Sequence, residues 1–176
     1  MIRLIKKTSN ETFYCQVWKV EKNIHILSGT LGFSGEEEEI PLRLFESSKK
    51  VMKKLATEKA NQGYEYVDAE SLIKLAVQYR YEEEEQFEEA EEKSLFVDDL
   101  LDEALHSTGN GEYDGSEIGD GAGITFCFVI DVEIALETIM KELSKHNVLE
   151  GAEIAFLNGE GAYVSLYPEG AVFELV

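Results

Sequence analysis

The sequence predicts an α+β protein built as two small domains, and three observations carry that reading. The first is charge. Residues 1–64 hold 11 Lys and Arg against 8 Asp and Glu, a formal +3. Residues 65–176 hold 5 against 28, a formal −23, so the 176-residue chain stands at −20. Halves so unlike in charge are expected to meet different partners. The second is periodicity: runs that alternate apolar and polar residues, as half-buried strands do, are interleaved with runs at helical spacing. The third is punctuation by glycine clusters near residues 29–35 and 109–123, where chain reversals are favoured.

The boundary is expected near residues 68–71, which gives domains 1–68 and 71–176. An apolar share of 44% is ordinary for globular protein, so each half can bury a modest core. About 65 residues is marginal for independent folding, and the halves are therefore expected to pack together. Cys15 and Cys127 sit in apolar alternating runs and read as buried free thiols rather than a disulfide. The opening MIRLIKKTSN lacks the apolar core of a signal peptide. No apolar run reaches the ~18 residues that span a bilayer. A soluble cytoplasmic protein with no membrane partner is the expectation, and a charge of −20 favours solubility.

Taken in order, MIRLIKK alternates loosely and opens a strand. Phe13, Cys15 and Val17 on one face and Tyr14, Gln16, Trp18 and Val20 on the other predict a strand covered on both sides. Ile24, Ile26 and Leu27 predict a second strand. Gly29, Gly32 and Gly35 predict a turn, and Ile40–Phe45 a third strand with Pro41 at its edge or start. Ser47 or Ser48 caps a helix running to about Gln62, with Val51, Leu55 and Ala56 inward and Lys49, Lys50, Lys53 and Lys54 on the other side. Gly63 is its C-terminal stop.

Ile73, Leu75, Val77, Tyr79 and Tyr81 alternate strictly with polar or small residues, the clearest strand signal in the chain. The glutamate-rich 82–93 predicts a solvated loop or surface helix. Ser94 then caps an apolar helix through Leu105. The Gly-rich acidic 109–123 leads into a central strand, Ile124–Ile130. Asp131 caps a helix to about His146, and Ala152–Leu157 and Tyr163–Tyr167 are strands around a turn at 158–161. From residue 73 the order is strand, helix, strand, strand, helix, strand, with one strand added. Two helices on one face of an antiparallel sheet bury this pattern economically, a ferredoxin-like βαββαβ layer.

Residues 10–68 carry Trp18 in an early strand, the turn Ser28-Gly29-Thr30-Leu31-Gly32-Phe33-Ser34-Gly35, and Phe45 before a helix that ends in Glu58-Lys59 and is closed by Gly63-Tyr64. In these features the first domain resembles the WGR family, a small sheet-plus-helix module of nuclear poly(ADP-ribose) polymerases and of bacterial proteins including molybdate-regulator homologues. The resemblance implies a module that contacts protein or nucleic acid. The Trp-Gly-Arg motif itself would fall on Ser28, Gly29 and Thr30, where only the glycine is kept, so the arginine's role in DNA contact has no counterpart. The second half is similar to an uncharacterised bacterial α+β domain. That similarity rests on Val77-Gln78-Tyr79, Thr108-Gly109-Asn110-Gly111 through Asp114-Gly115, Gly119-Asp120-Gly121 and Phe126-Cys127-Phe128-Val129, and it implies no activity.

Few residues read as chemistry. Asn110, Glu112, Asp114 and Ser116 mimic the first half of an EF-hand loop, but position twelve is Gly121 where a bidentate Glu is needed. Asn110, Glu112, Asp114 and Asp120 are therefore weak metal candidates, and a β-hairpin is the simpler reading. The same carboxylates would repel a phosphate. His25 sits in a strand, while His106 and His146 end helices, where an imidazolium meets the helix dipole favourably. No His-x-x-x-His, Cys-x-x-Cys or Gly-x-Ser-x-Gly is present, and the apolar neighbours of Cys127 point to burial. No cofactor and no catalytic residue is expected.

The expectation is a non-enzymatic bacterial interaction or regulatory protein. Trp18, Gly29, Gly32, Gly35 and Tyr64 shape its first module. Lys49, Lys50, Lys53 and Lys54 are its contact face, for a protein or, as a weaker case, nucleic acid. An acidic inhibitor of the immunity type docking on a basic partner is one alternative. A metal-binding protein or enzyme using the 110–120 loop is another.

Overall fold

The computed structural model describes residues 1–82 and 86–176; the predicted loop or surface helix of the glutamate run falls partly on residues 83–85, outside the described residues. The chain is α+β, with two five-stranded antiparallel sheets and three α-helices among the described residues. It divides into two compact units, Met1–Ser71 with Ser107–Gly109, and Leu72–His106 with Asn110–Val176.

The first unit holds β1 (Ile2–Lys7), β2 (Thr12–Val20), β3 (Asn23–Thr30), β4 (Glu36–Pro41), α1 (Ser48–Asn61) and β5 (Glu65–Tyr66). The strand order is β4-β3-β2-β1-β5. Tyr14 to Val17 of β2 are all buried, because the strand is central and covered on both faces, as its double-sided pattern predicts. On one face Val51, Met52, Leu55 and Tyr64 pack on Cys15, Val17, Ile24 and Ile26, with Ala56 fully buried. Gly63 follows α1 with φ +90°, and the Tyr64 N–H returns to the Lys59 carbonyl.

Three local expectations are met only in part here. The strand predicted at Ile40–Phe45 is β4, Glu36–Pro41, which pairs with β3 from Asn23↔Pro41 to Ser28↔Glu36. Cross-strand register holds the glutamates in the ladder, while Leu44 and Phe45 lie outside it, exposed. Pro41 is at the edge, as expected, but ends the strand. Gly29 lies inside β3 opposite Tyr14 rather than in a turn. Ser47 occupies the N-cap of α1 without a side-chain bond; its carbonyl takes the N–H groups of Lys50 and Val51 instead.

Tyr14 explains two glycines that the sequence assigned to the turn. A Cβ on Gly35 would stand 2.3 Å from the Tyr14 Oη and 2.8 Å from the Ser28 carbonyl, and one on Gly29 would stand 3.3 Å from the tyrosine ring. The Tyr14 hydroxyl donates to the Ser107 carbonyl at 2.9 Å, and the Gly35 N–H reaches the same oxygen at 3.1 Å. Burial pushes the phenol up to about 12, since the phenolate would lose its water.

The second unit holds β6 (Ile73–Arg80), α2 (Phe87–Ser107, its last residue counted with the first unit), β7 (Gly111–Gly119), β8 (Ala122–Val129), α3 (Val132–Lys145), β9 (Ala152–Leu157) and β10 (Tyr163–Tyr167). The order is β10-β9-β6-β8-β7, every neighbouring pair antiparallel. Val97, Leu101 and Leu105 of α2 and Ala135, Ile139 and Leu143 of α3 meet Leu75, Val77, Cys127, Val129 and Ile154 in one core, so both helices cover the same face. Each fully buried Leu or Ile there contributes about 2 kcal/mol. On the other face Ala76, Ile124 and Phe126 pack with Tyr163 and Phe173.

Asp131 caps α3 by accepting the Ile134 N–H at 3.0 Å, as predicted. Ser94 caps nothing. It lies buried inside α2, which begins at Phe87 within the glutamate-rich stretch. Glu, Ala and Lys are strong helix formers, and a buried apolar stripe downstream lets the helix extend back through them. The Gly-rich 109–123 is the hairpin of β7 and β8, turned at Asp120–Gly121; its strands are longer than the sequence suggests.

Candidate functional site

The four lysines singled out from the sequence occupy one side of α1. Lys49, Lys50, Lys53 and Lys54 are all exposed. Val51, Leu55 and Ala56 form the opposite, inward side, so the amphipathic pattern alone turns the lysines out. Among the described residues an ion pair is recorded for Lys54 of these four, with Glu58 at 3.9 Å. A surface i,i+4 pair of that length contributes well under about 1 kcal/mol. Lys59 turns back over the Tyr64 ring at 5.5 Å, joined from β1 by Lys6 at 5.9 Å. The cationic character thus extends past the end of the helix.

The other module-shaping residues fall into different roles. Trp18 stacks on His25 with centroids 5.5 Å apart and planes at 24°. Gly32, at φ +86°, is the left-handed residue of the turn after β3. Arg43, Leu44 and Phe45 stand exposed just before α1, a combination the sequence reading placed in a strand.

On β3 and β4 a second cluster forms that sequence spacing did not disclose. His25 Nδ1 lies 2.6 Å from Glu37 Oε1 and 3.9 Å from Glu39 Oε1. Asn23 Nδ2 holds the other oxygen of Glu39 at 3.0 Å. His25 pairs with Glu39 across the ladder, and Leu27 with Glu37, so residues 25, 37 and 39 share a face. The signal, a histidine alternating in one strand and glutamates at i,i+2 in the next, becomes visible only once the register is known.

The 110–120 candidates are spread out by the hairpin. Asn110 is fully buried. Its Nδ2 donates to the Asp131 carbonyl and its Oδ1 accepts the Asp131 N–H, both at 2.9 Å, which ties the start of β7 to the cap of α3. An extended strand cannot wrap an ion as an EF-hand loop does. Among the described residues the His, Cys, Asp and Glu side chains that bring three ligand atoms within 4.8 Å of one another are His25, Glu37 and Glu39; Glu112, Asp114 and Asp120 form no such group.

A buried carboxylate that the sequence reading passed over sits beneath this hairpin. Asp98 of α2 accepts from Thr125 Oγ1 and Ser116 Oγ, each at 2.6 Å, and from Tyr113 Oη at 3.3 Å. A bulge between Tyr113 and Gly115 shifts the register. Two residues three apart can then face the same carboxylate, with Gly115 taking φ +146° at the irregularity. Both cysteines are free and buried. Burial, helped by Asp98, pushes the Cys127 thiol up to about 12, which removes it as a nucleophile near neutral pH. No described helix is long and apolar enough to cross a membrane. No protein-family model, no curated protein and no solved structure matches this chain.

Proposed function

We infer that the protein is a non-enzymatic interaction or regulatory protein of the cytoplasm, and that its first unit contacts an acidic surface on a partner protein through Lys49, Lys50, Lys53 and Lys54. The observation that carries this reading is the lysine side of α1: four exposed cations within six positions, on a chain whose net charge is −20. A cationic face kept on so acidic a protein is suited to steering an anionic partner and excluding others. The exposed Arg43, Leu44 and Phe45 beside the start of the helix add an apolar anchor of the kind that carries binding energy at interfaces.

Fold-level analogy supports the reading. A sheet with one helix, a glycine-cornered turn and a closing Gly63-Tyr64 is the pattern of a WGR-like module. For the second unit, the order β9-β6-β8-β7 with two helices on one face supports a ferredoxin-like layer, extended by β10. In that layer Gln78, Asp98, Asn110 and Thr138 are each engaged in hydrogen bonds to other side chains or to backbone, which favours a scaffold over a reactive centre.

The test uses the full chain and a variant with all four lysines changed to glutamate, matched by circular dichroism. Proteins retained from a lysate of the native cell by the wild type are identified, and their affinity is measured for both forms over a salt series. A partner bound at least tenfold more weakly by the variant, and more weakly at high salt, supports the reading. A partner bound equally by both forms overturns it. Mobility shift with duplex DNA at low salt distinguishes a nucleic-acid ligand, which would show a steep salt dependence.

A further inference from the structure

We propose that His25, Glu37 and Glu39 form a binding site for a divalent first-row transition ion on the edge of the first sheet. The three ligand atoms already lie within 4.8 Å of one another. An ion bound at about 2.0–2.2 Å from each would need them roughly 3–3.5 Å apart. Small rotations of the two glutamate side chains supply that change, and both have room, their side chains being 48% and 58% exposed. The imidazole is held in place, 12% exposed and stacked on Trp18. The Asn23 amide holds one oxygen of Glu39 and leaves the nearer one for the ion. This is the orienting partner that ligand carboxylates require.

Two features of the strand itself point to a cation. β4 begins Glu36-Glu37-Glu38-Glu39, and glutamate is a poor strand residue. Carboxylates at i,i+2 on one face also repel each other. One imidazole, even protonated, balances only one of the two carboxylates that face it, whereas a divalent ion balances both. The donor set sets the preference. An imidazole nitrogen with two carboxylate oxygens suits zinc or a neighbouring first-row ion, while magnesium and calcium favour oxygen alone. Exposure of the carboxylates leaves coordination positions open to water, so the site is a surface clamp rather than a closed structural centre.

The strand's alternation provides the internal control. Glu36 and Glu38 pair with Ser28 and Ile26 and therefore belong to the opposite face, yet they carry the same charge on the same strand. Zinc is titrated calorimetrically into the full chain, and into Glu37→Gln, Glu39→Gln and His25→Gln, with Glu36→Gln and Glu38→Gln as controls and magnesium as the competing ion. The expected result is one saturable zinc per chain, unaffected by equimolar magnesium. Glu37→Gln and Glu39→Gln each weaken it at least tenfold, His25→Gln abolishes it, and each control changes it less than twofold. Zinc also raises the melting temperature of the wild type and not that of Glu37→Gln. Because residues 37 and 39 are half exposed, their variants stay folded even if His25→Gln does not. No saturable binding, or equal weakening by the control substitutions, overturns the proposal.

Discussion

In the second unit the buried polar side chains are consumed by the fold. Asp98 takes three hydroxyls, Asn110 bridges the Asp131 backbone, and Gln78 donates to Glu153 at 2.8 Å while its carbonyl accepts the Val176 N–H at 3.1 Å. In the first unit four lysines are turned out along α1, and one imidazole with two carboxylates gathers on the edge of the sheet. The second unit has the greater density of carboxylates, yet among the described residues its glycine-rich acidic segment brings no three of them together. The first has fewer, and strand register brings two of them to one imidazole. What the contrast teaches is that abundance of a residue type says little about a site; the geometry that leaves side chains unspent says more.

The largest expected effect tests whether the second unit's polar groups are structural. Asp98→Ala leaves the buried Thr125 hydroxyl without its acceptor, and removes the acceptor of the exposed Ser116 as well; it should cost about 3 kcal/mol in urea denaturation. A loss below about 1 kcal/mol would mean that the carboxylate is free for another task. In the first unit, Gly35→Ala forces a methyl group onto the Tyr14 hydroxyl and the Ser28 carbonyl. A loss of about 2 kcal/mol is expected, and a neutral result would contradict the close approach.

A third measurement follows from Tyr14, whose phenol is raised to about 12 in the fold. The unfolded chain ionises first, near pH 10. This contribution to stability is complete below pH 10 and is lost as pH rises toward about 12. Tyr14→Phe should flatten that fall in a series of melts from pH 9 to 12, and an unchanged slope would assign the loss to other groups. The smallest effect is on the lysine side. Changing Lys49, Lys50, Lys53 and Lys54 to glutamate should leave stability within about 0.5 kcal/mol, because none of the four is buried. A larger loss would mean that these lysines hold the fold rather than face a partner.

Much of the architecture was legible because alternation and helical spacing are local. The strands at 73–80 and 122–129, the capped helix after Asp131 and the outward lysines of α1 all follow from pattern. The misses share one cause, information that is not local. The third strand reads as Ile40–Phe45 because apolar residues outweigh a run of glutamates, and only pairing with β3 explains why the strand is Glu36–Pro41. Ser94 looked like a cap because a polar residue preceded an apolar run, while the core beneath α2 carries the helix back past it. Gly29 reads as a turn residue, yet it lies inside β3; Gly35 does lie in the connection before β4, but both also make room for a tyrosine distant in sequence. Neither Asp98 nor the cluster at His25 could be seen from spacing, since each depends on which strands become neighbours.

The comparison between the units meets its most direct test in paired charge variants of the full chain, assayed against the same retained partner. One variant reverses Lys49, Lys50, Lys53 and Lys54; the other neutralises Glu112, Asp114, Glu117 and Asp120 on the hairpin. The predicted result is that the lysine variant loses the partner and the hairpin variant keeps it. Loss of the partner from the hairpin variant with retention by the lysine variant would contradict the account and place the docking surface on the acidic unit.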